Sequence, residues 1–149
     1  EDAYKFLKKK STTEHRFEKV EIINGTRFIN DSKSTNFHSV SSASERVKNA
    51  LLIMHGITKN IPTSELQLSN EIKKIIIPKD MNLDHNLFNC EVEVIKSIFE
   101  LEDILKKDFQ RFETVLFSCG GSSFNDFENY IERGKFFKSI VKNLKGGQN

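Results

Sequence analysis

The sequence predicts an α/β domain, three-layered and Rossmann-like, with a mostly parallel sheet entered through an antiparallel hairpin. Three observations predict it. Two β-rich runs, Phe17 to Ile23 and Thr26 to Asn30, flank Asn24-Gly25, a strong two-residue hairpin signal. Short continuous apolar runs then alternate with segments of helical pattern, which is the grammar of parallel strands joined by crossovers. No internal repeat or low-complexity block interrupts the alternation.

Taken in order, the hairpin is followed by a polar loop and a helix-compatible segment from His38 to Lys48. Ala50 to Met54 is apolar throughout and of buried-strand length. Ser64 to Glu71 predicts a short helix, because Gln67 stands three residues after Ser64 as in a capping box. Lys73 to Ile77 predicts a strand stopped by Pro78, and Lys79 to Asn89 is polar and unpatterned. A short strand follows at Glu91 to Ile95, and Ser97 with Glu100 caps a helix carrying Ile98, Leu101 and Leu105. Thr114 to Ser118 is the next strand. Phe127, Tyr130, Ile131, Phe137, Ile140, Val141 and Leu144 then share one face of a final helix, ended by Gly146-Gly147. Gly134 inside that helix predicts either a close contact or a bend.

The 149 residues suit one domain, 1–149, with one core, and 37% hydrophobic against 30% charged residues excludes a disordered tail. A formal charge of +2, with both signs interspersed, offers no nucleic-acid face. The longest apolar runs fall far short of the ~20 residues of a membrane helix, and there is no apolar signal segment, so a cytoplasmic protein is expected. Cys90 and Cys119 lie apart without a zinc-ligand pattern and are expected to be free thiols; no metal site is predicted. The start at Glu1, without Met, fits a fragment of a longer chain.

Three polar clusters each follow a predicted strand directly: Asn30 to Asn36, His55 to Lys59, and Ser118 to Ser123. In an open α/β sheet, ligands bind at the carboxyl ends of the strands, so these loops are expected to converge on one site. The first offers a carboxylate, an ammonium and hydroxyls within a few residues. Its plain alternative is a solvated loop in which Asp31 or Asn36 caps a helix. Lys59 suits a carboxylate or phosphate, or is a surface lysine, and Gly56 would let backbone approach a ligand. The glycines of the third cluster could present amides ahead of the last helix as an anion cradle, or form a tight turn. Cys119 is expected to be a buried structural thiol, with no triad partner evident. No Gly-x-x-x-x-Gly-Lys-Ser/Thr loop occurs, so ATP chemistry would need another domain.

His15-Arg16-Phe17-Glu18, the Asn30 to Asn36 segment, the Gly56 to Lys59 loop, and Ser118 through Gly134 together resemble the C-terminal domain of the Mur ligase family, in its D-glutamate-adding branch. The resemblance runs along nearly the whole chain. It implies a three-domain ligase that uses ATP with Mg2+, bound mainly by a central ATPase domain, to join D-glutamate to UDP-N-acetylmuramoyl-L-alanine through an acyl phosphate. It further implies that Arg16 and Asp31 contact the ATP ribose and that Lys33 lies near the transferring phosphate. Thr35 and Lys59 would bind the α-carboxylate of D-glutamate. Ser123, with groups near Phe124 and Tyr130, would receive the side-chain carboxylate. His55-Gly56 stands where the family usually has Gly-Gly, Ser118-Cys119-Gly120 where it has Ser-Pro-Ala, and Asn125 where Asp is common. The contrasting reading is a stand-alone, non-catalytic binding module of the same descent.

Overall fold

Asn24 and Gly25 both take positive φ, 49° and 87°, the backbone a tight antiparallel turn demands. They join β1 (Glu18–Ile23) to β2 (Thr26–Asp31). The computed structural model describes Phe6 and residues 13–58 and 61–148. After the hairpin come α1 (Phe37–Ser44), β3 (Ala50–His55), β4 (Ile72–Pro78), β5 (Glu91–Ile95), α2 (Leu101–Asp108), β6 (Thr114–Gly120) and α3 (Tyr130–Gly146). The six strands form one sheet in the order β1-β2-β6-β3-β4-β5, parallel at every pairing except β1 with β2.

The alternation of side chains along the central strands divides the core into two layers. Leu51, Ile53, Val115, Phe117 and Cys119 face α2 and α3. Ala50, Leu52, Met54 and Leu116 face α1 and the β3–β4 and β4–β5 connections. Because β3 and β6 are covered on both faces, their apolar runs are continuous rather than alternating. Cys119 is fully buried and its thiol pKa is pushed up to about 12 by desolvation, which makes it inert; Cys90 is also a free thiol.

The structure revises several expectations. Residues 64–71 do not form a helix. Only a 3-10 turn, Thr63–Glu65, forms, and the Ser41 and Ser44 hydroxyls of α1 accept from the amides of Gln67 and Ser69, holding the chain extended. Those bonds run from distant residues and defeat the local capping pattern. Helix α1 stops at Ser44 rather than Lys48. The Ser97–Glu100 capping box is present, although the first turn it caps is 3-10. Phe127 precedes α3, which Asn129 caps by accepting from the Glu132 amide. Gly147 caps the end of that helix as expected, its amide donating to the Asn143 carbonyl, with φ −72°. Gly134 marks a close contact, since a Cβ there would lie 2.0 Å from Nδ1 of His15.

At the amino ends of β4 and β5, Lys74 is buried against Asp108 at 2.5 Å and Glu93 at 2.8 Å. This cluster lies at the end of the sheet opposite the polar loops. No described helix is long and apolar enough to cross a membrane.

Candidate functional site

The loops after β2, β3 and β6 leave adjacent strands on the same edge, with Asp31 beside Ser118 and His55 beside Gly120 in the register. They are bonded to one another. The Gly120 amide donates to the Ser34 carbonyl at 3.0 Å, and Ile57 and Ser122 exchange amide–carbonyl bonds at 2.8 and 3.0 Å. Gly56 is required for this approach: it has φ 124°, and a Cβ on it would meet the Ser122 carbonyl at 2.4 Å. The missing side chain therefore lets two loops touch. Because the Gly120 and Ser122 amides are consumed by loop pairing, they are not free to form the anion cradle, and a turn over 123–129 separates these glycines from α3.

The His15 to Glu18 strap lies across this edge, and each residue has its own task. His15 is buried against Gly134, and its carbonyl accepts from the Lys33 amide at 2.9 Å. Phe17 is buried under the Arg46 guanidinium, 3.6 Å from the ring centroid. Glu18 accepts from Asn30 and bonds Lys138 of α3 at 2.8 Å. Only Arg16 of the four is exposed.

Asp31 is 6% exposed, and its carboxylate turns inward, accepting from the Phe17 amide at 2.8 Å and the Ser118 hydroxyl at 2.7 Å. Burial raises its pKa, against those two bonds, which favour the carboxylate. Lys33 is half-buried, its ammonium 5.8 Å from the centre of the Tyr130 ring. Thr35 is exposed, Ser123 is 3% exposed, and Phe124 projects with 72% of its surface free. Lys59 lies outside the described residues. Asp31 and Ser123 are thus both buried at the shared edge, and the Asp31 carboxylate is bonded inward.

Arg16, Phe17, Asp31, Lys33, Ser34 and Arg46 line a cleft of about 250 Å3 beside α1. The Ser34 hydroxyl in it is buried without a hydrogen-bond partner. An orphaned hydroxyl among cationic side chains fits a ligand bearing hydroxyls and negative charge. Among the described residues no group of three metal-ligating side chains is present.

Two residues that the sequence reading left without a role belong to the site. Arg133 is completely buried beneath the loops, and His55 is buried with Nε2 2.8 Å from Asp126. The signal for Arg133 was available: it lies three residues after Tyr130 and four before Phe137, on the apolar stripe of α3.

Burial lowers the pKa of both His55 and His15; the carboxylates beside each act in the other direction. A depressed folded pKa means that the unfolded chain binds more protons below the ordinary value of 6.5. Stability should therefore be full at neutral pH and fall as pH drops below that value. Asp31 acts with opposite sign in a window opening at 3.8, while the lowered Glu14 and Glu18 contribute stability that is lost only below 4.5. Urea melts at about pH 7.5 and about pH 5.5 are expected to differ by roughly 1–2 kcal/mol, with the acidic sample weaker. A flat or inverted dependence would contradict two buried neutral imidazoles.

No protein-family model matches the chain. Individual proteins do. The UDP-N-acetylmuramoylalanine–D-glutamate ligase of Thermosipho africanus is 38% identical over 153 residues, covering 96% of this chain and 35% of the relative. The enzyme of the same name from Thermosipho melanesiensis is 35% identical over 149 residues, 97% of this chain and 35% of the relative. That of Christiangramia forsetii is 36% identical over 139 residues, 88% and 31%. The chain thus spans about a third of the length of these relatives. Over nearly all of its own length the chain is similar to about one third of a UDP-N-acetylmuramoylalanine–D-glutamate ligase.

Proposed function

We propose that residues 1–149 are the C-terminal closure domain of a cytoplasmic, ATP-dependent ligase that joins D-glutamate to UDP-N-acetylmuramoyl-L-alanine in peptidoglycan synthesis. The observation that carries this reading is the convergence of the three loops after β2, β6 and β3 on one sheet edge. The name carried by relatives of which this chain covers about a third supports it.

On this reading Arg16 and Asp31 hold the ribose of ATP, in the cleft where the Ser34 hydroxyl waits for a partner. Bonds to Phe17 and Ser118 leave each Asp31 oxygen a further lone pair for a ribose hydroxyl. Lys33, resting on the Tyr130 ring, supplies positive charge beside the reacting carboxylate. Thr35 and Lys59 receive the α-carboxylate of D-glutamate. Ser123 and the groups around Phe124 and Tyr130 receive its side-chain carboxylate. Two separated anion sites fix both ends of a dicarboxylate and so aim the amine between them. ATP, with Mg2+ on the central ATPase domain, supplies the phosphoryl group that activates the carboxylate. This chain binds, orients and excludes water when it closes on that domain.

The test is the product of the complete reading frame, assayed for phosphate release from ATP in the presence of UDP-N-acetylmuramoyl-L-alanine. Release should depend on D-glutamate and not follow from L-glutamate. A protein that folds and binds ATP yet shows no D-glutamate-dependent release would contradict the ligase reading. A reading frame that begins with this chain would favour the stand-alone module.

A further inference from the structure

Arg133 is fully buried, and among the described residues no carboxylate lies within ion-pair distance of it. A guanidinium in that position must spend its N–H groups on neutral acceptors, and the acceptors here come from all three loops. Nε donates to the Ser32 hydroxyl at 3.0 Å and Nη2 to the Ser32 carbonyl at 2.8 Å. Nη1 reaches the Gly121 carbonyl at 2.8 Å, and the His55 carbonyl and Nδ1, each at 3.2 Å. Ser32 follows β2, His55 ends β3 and Gly121 follows β6.

The chemistry of the contact assigns the imidazole tautomer. Arginine can only donate, so Nδ1 of His55 accepts, its proton sits on Nε2, and that proton points at Asp126, 2.8 Å away. The imidazole thereby links the buried cation to a carboxylate that is 25% exposed on the turn carrying Ser123. The Ser32 hydroxyl, accepting from Arg133, donates onward to the Tyr130 carbonyl at 2.7 Å, which ties the first loop to the start of α3. One side chain on a rigid helix therefore contacts a residue from every loop that carries a candidate ligand-binding group, while touching none of those groups' ligand-facing atoms.

We propose that Arg133 is the positioning residue of this site: its guanidinium holds the loops after β2, β3 and β6 in mutual register, and so sets ligand affinity without contacting ligand. The register itself follows from the contacts above. Its consequence for ligand affinity rests on the proposed function.

The test uses Arg133→Lys and Arg133→Met, with Leu144→Ala as a control that weakens the same helix at a core position away from the loops. Amide hydrogen exchange is followed by NMR on this chain. In Arg133→Lys, exchange of the Lys33, Ile57 and Ser122 amides should accelerate about ten-fold more than that of Leu52 and Leu116 in the central strands, since an ammonium cannot span acceptors on all the loops. In Leu144→Ala loop and core should accelerate together. Loop amides that move only in step with the core in the lysine variant would overturn the proposal; should Arg133→Met fail to fold, the lysine variant alone decides. In the full-length protein the lysine variant should raise KM for D-glutamate about ten-fold with a smaller change in kcat. Failure of the parent protein to use D-glutamate would remove the ligase reading and leave the exchange result to decide the positioning role.

Discussion

Lys33→Ala in the full-length protein is expected to lower kcat by about 100- to 1,000-fold, the usual loss when a preorganised charge is removed from a developing oxyanion. The Lys33 amide is bonded to the His15 carbonyl, so the backbone is fixed, while the side chain rests half-buried on the Tyr130 ring. That arrangement restricts a flexible ammonium to the shared edge without tying it to a carboxylate, because among the described residues no ion pair holds it. Lys33→Arg should not restore activity, since a planar fork cannot replace a compact point charge on the same stem. Steady-state kinetics decide: the proposed role predicts a fall in kcat larger than the change in KM for ATP. A variant that raised KM for ATP alone would move Lys33 from the chemistry to nucleotide binding.

Gly134→Ala is expected to destabilise this domain by about 1–3 kcal/mol, the range for overpacking a filled site. The sign is the informative part, because alanine at a helix-interior glycine ordinarily stabilises by ~1 kcal/mol. Here the new methyl would sit 2.0 Å from Nδ1 and 2.6 Å from Cε1 of His15. The ring has nowhere to go: it is buried, its Nδ1 is bonded to Asn30 at 2.8 Å, and Asn30 in turn holds Glu18. Displacing it would also disturb the carbonyl that anchors Lys33. A thermal melt should move down by roughly 3–10 °C. An unchanged or raised midpoint would mean that His15 does not pack on this helix.

Much of the architecture was readable from local pattern, and the failures share one physical cause. The hairpin followed from Asn24-Gly25, whose positive φ values few residue pairs accept, and the parallel core strands followed from uninterrupted apolar runs. The segment around Ser64 misled because the competing hydrogen-bond partners, Ser41 and Ser44, are remote in sequence. The site behaved the same way. Its three loops could be recognised from their positions after strands, but their mutual bonding could not. Gly56 proved to serve loop–loop contact, and the departure at His55 acquired a reason only when Arg133 and Asp126 were seen on either side of its ring. Asn125, next to Asp126, bonds both Asp80 and Asp126, so the polar turn retains a carboxylate one position along.

The most direct test of the account is amide chemical-shift mapping of this chain with D-glutamate at concentrations up to tens of millimolar, beside L-glutamate as the control. Weak binding, of millimolar affinity or weaker, is expected, because on the proposed reading a second domain supplies the remaining contacts. The shifts should gather on residues 33–36, 56–59 and 121–124, and L-glutamate should perturb them less. Shifts centred away from that edge, equal responses to both enantiomers, or tight binding by the isolated chain would contradict the account.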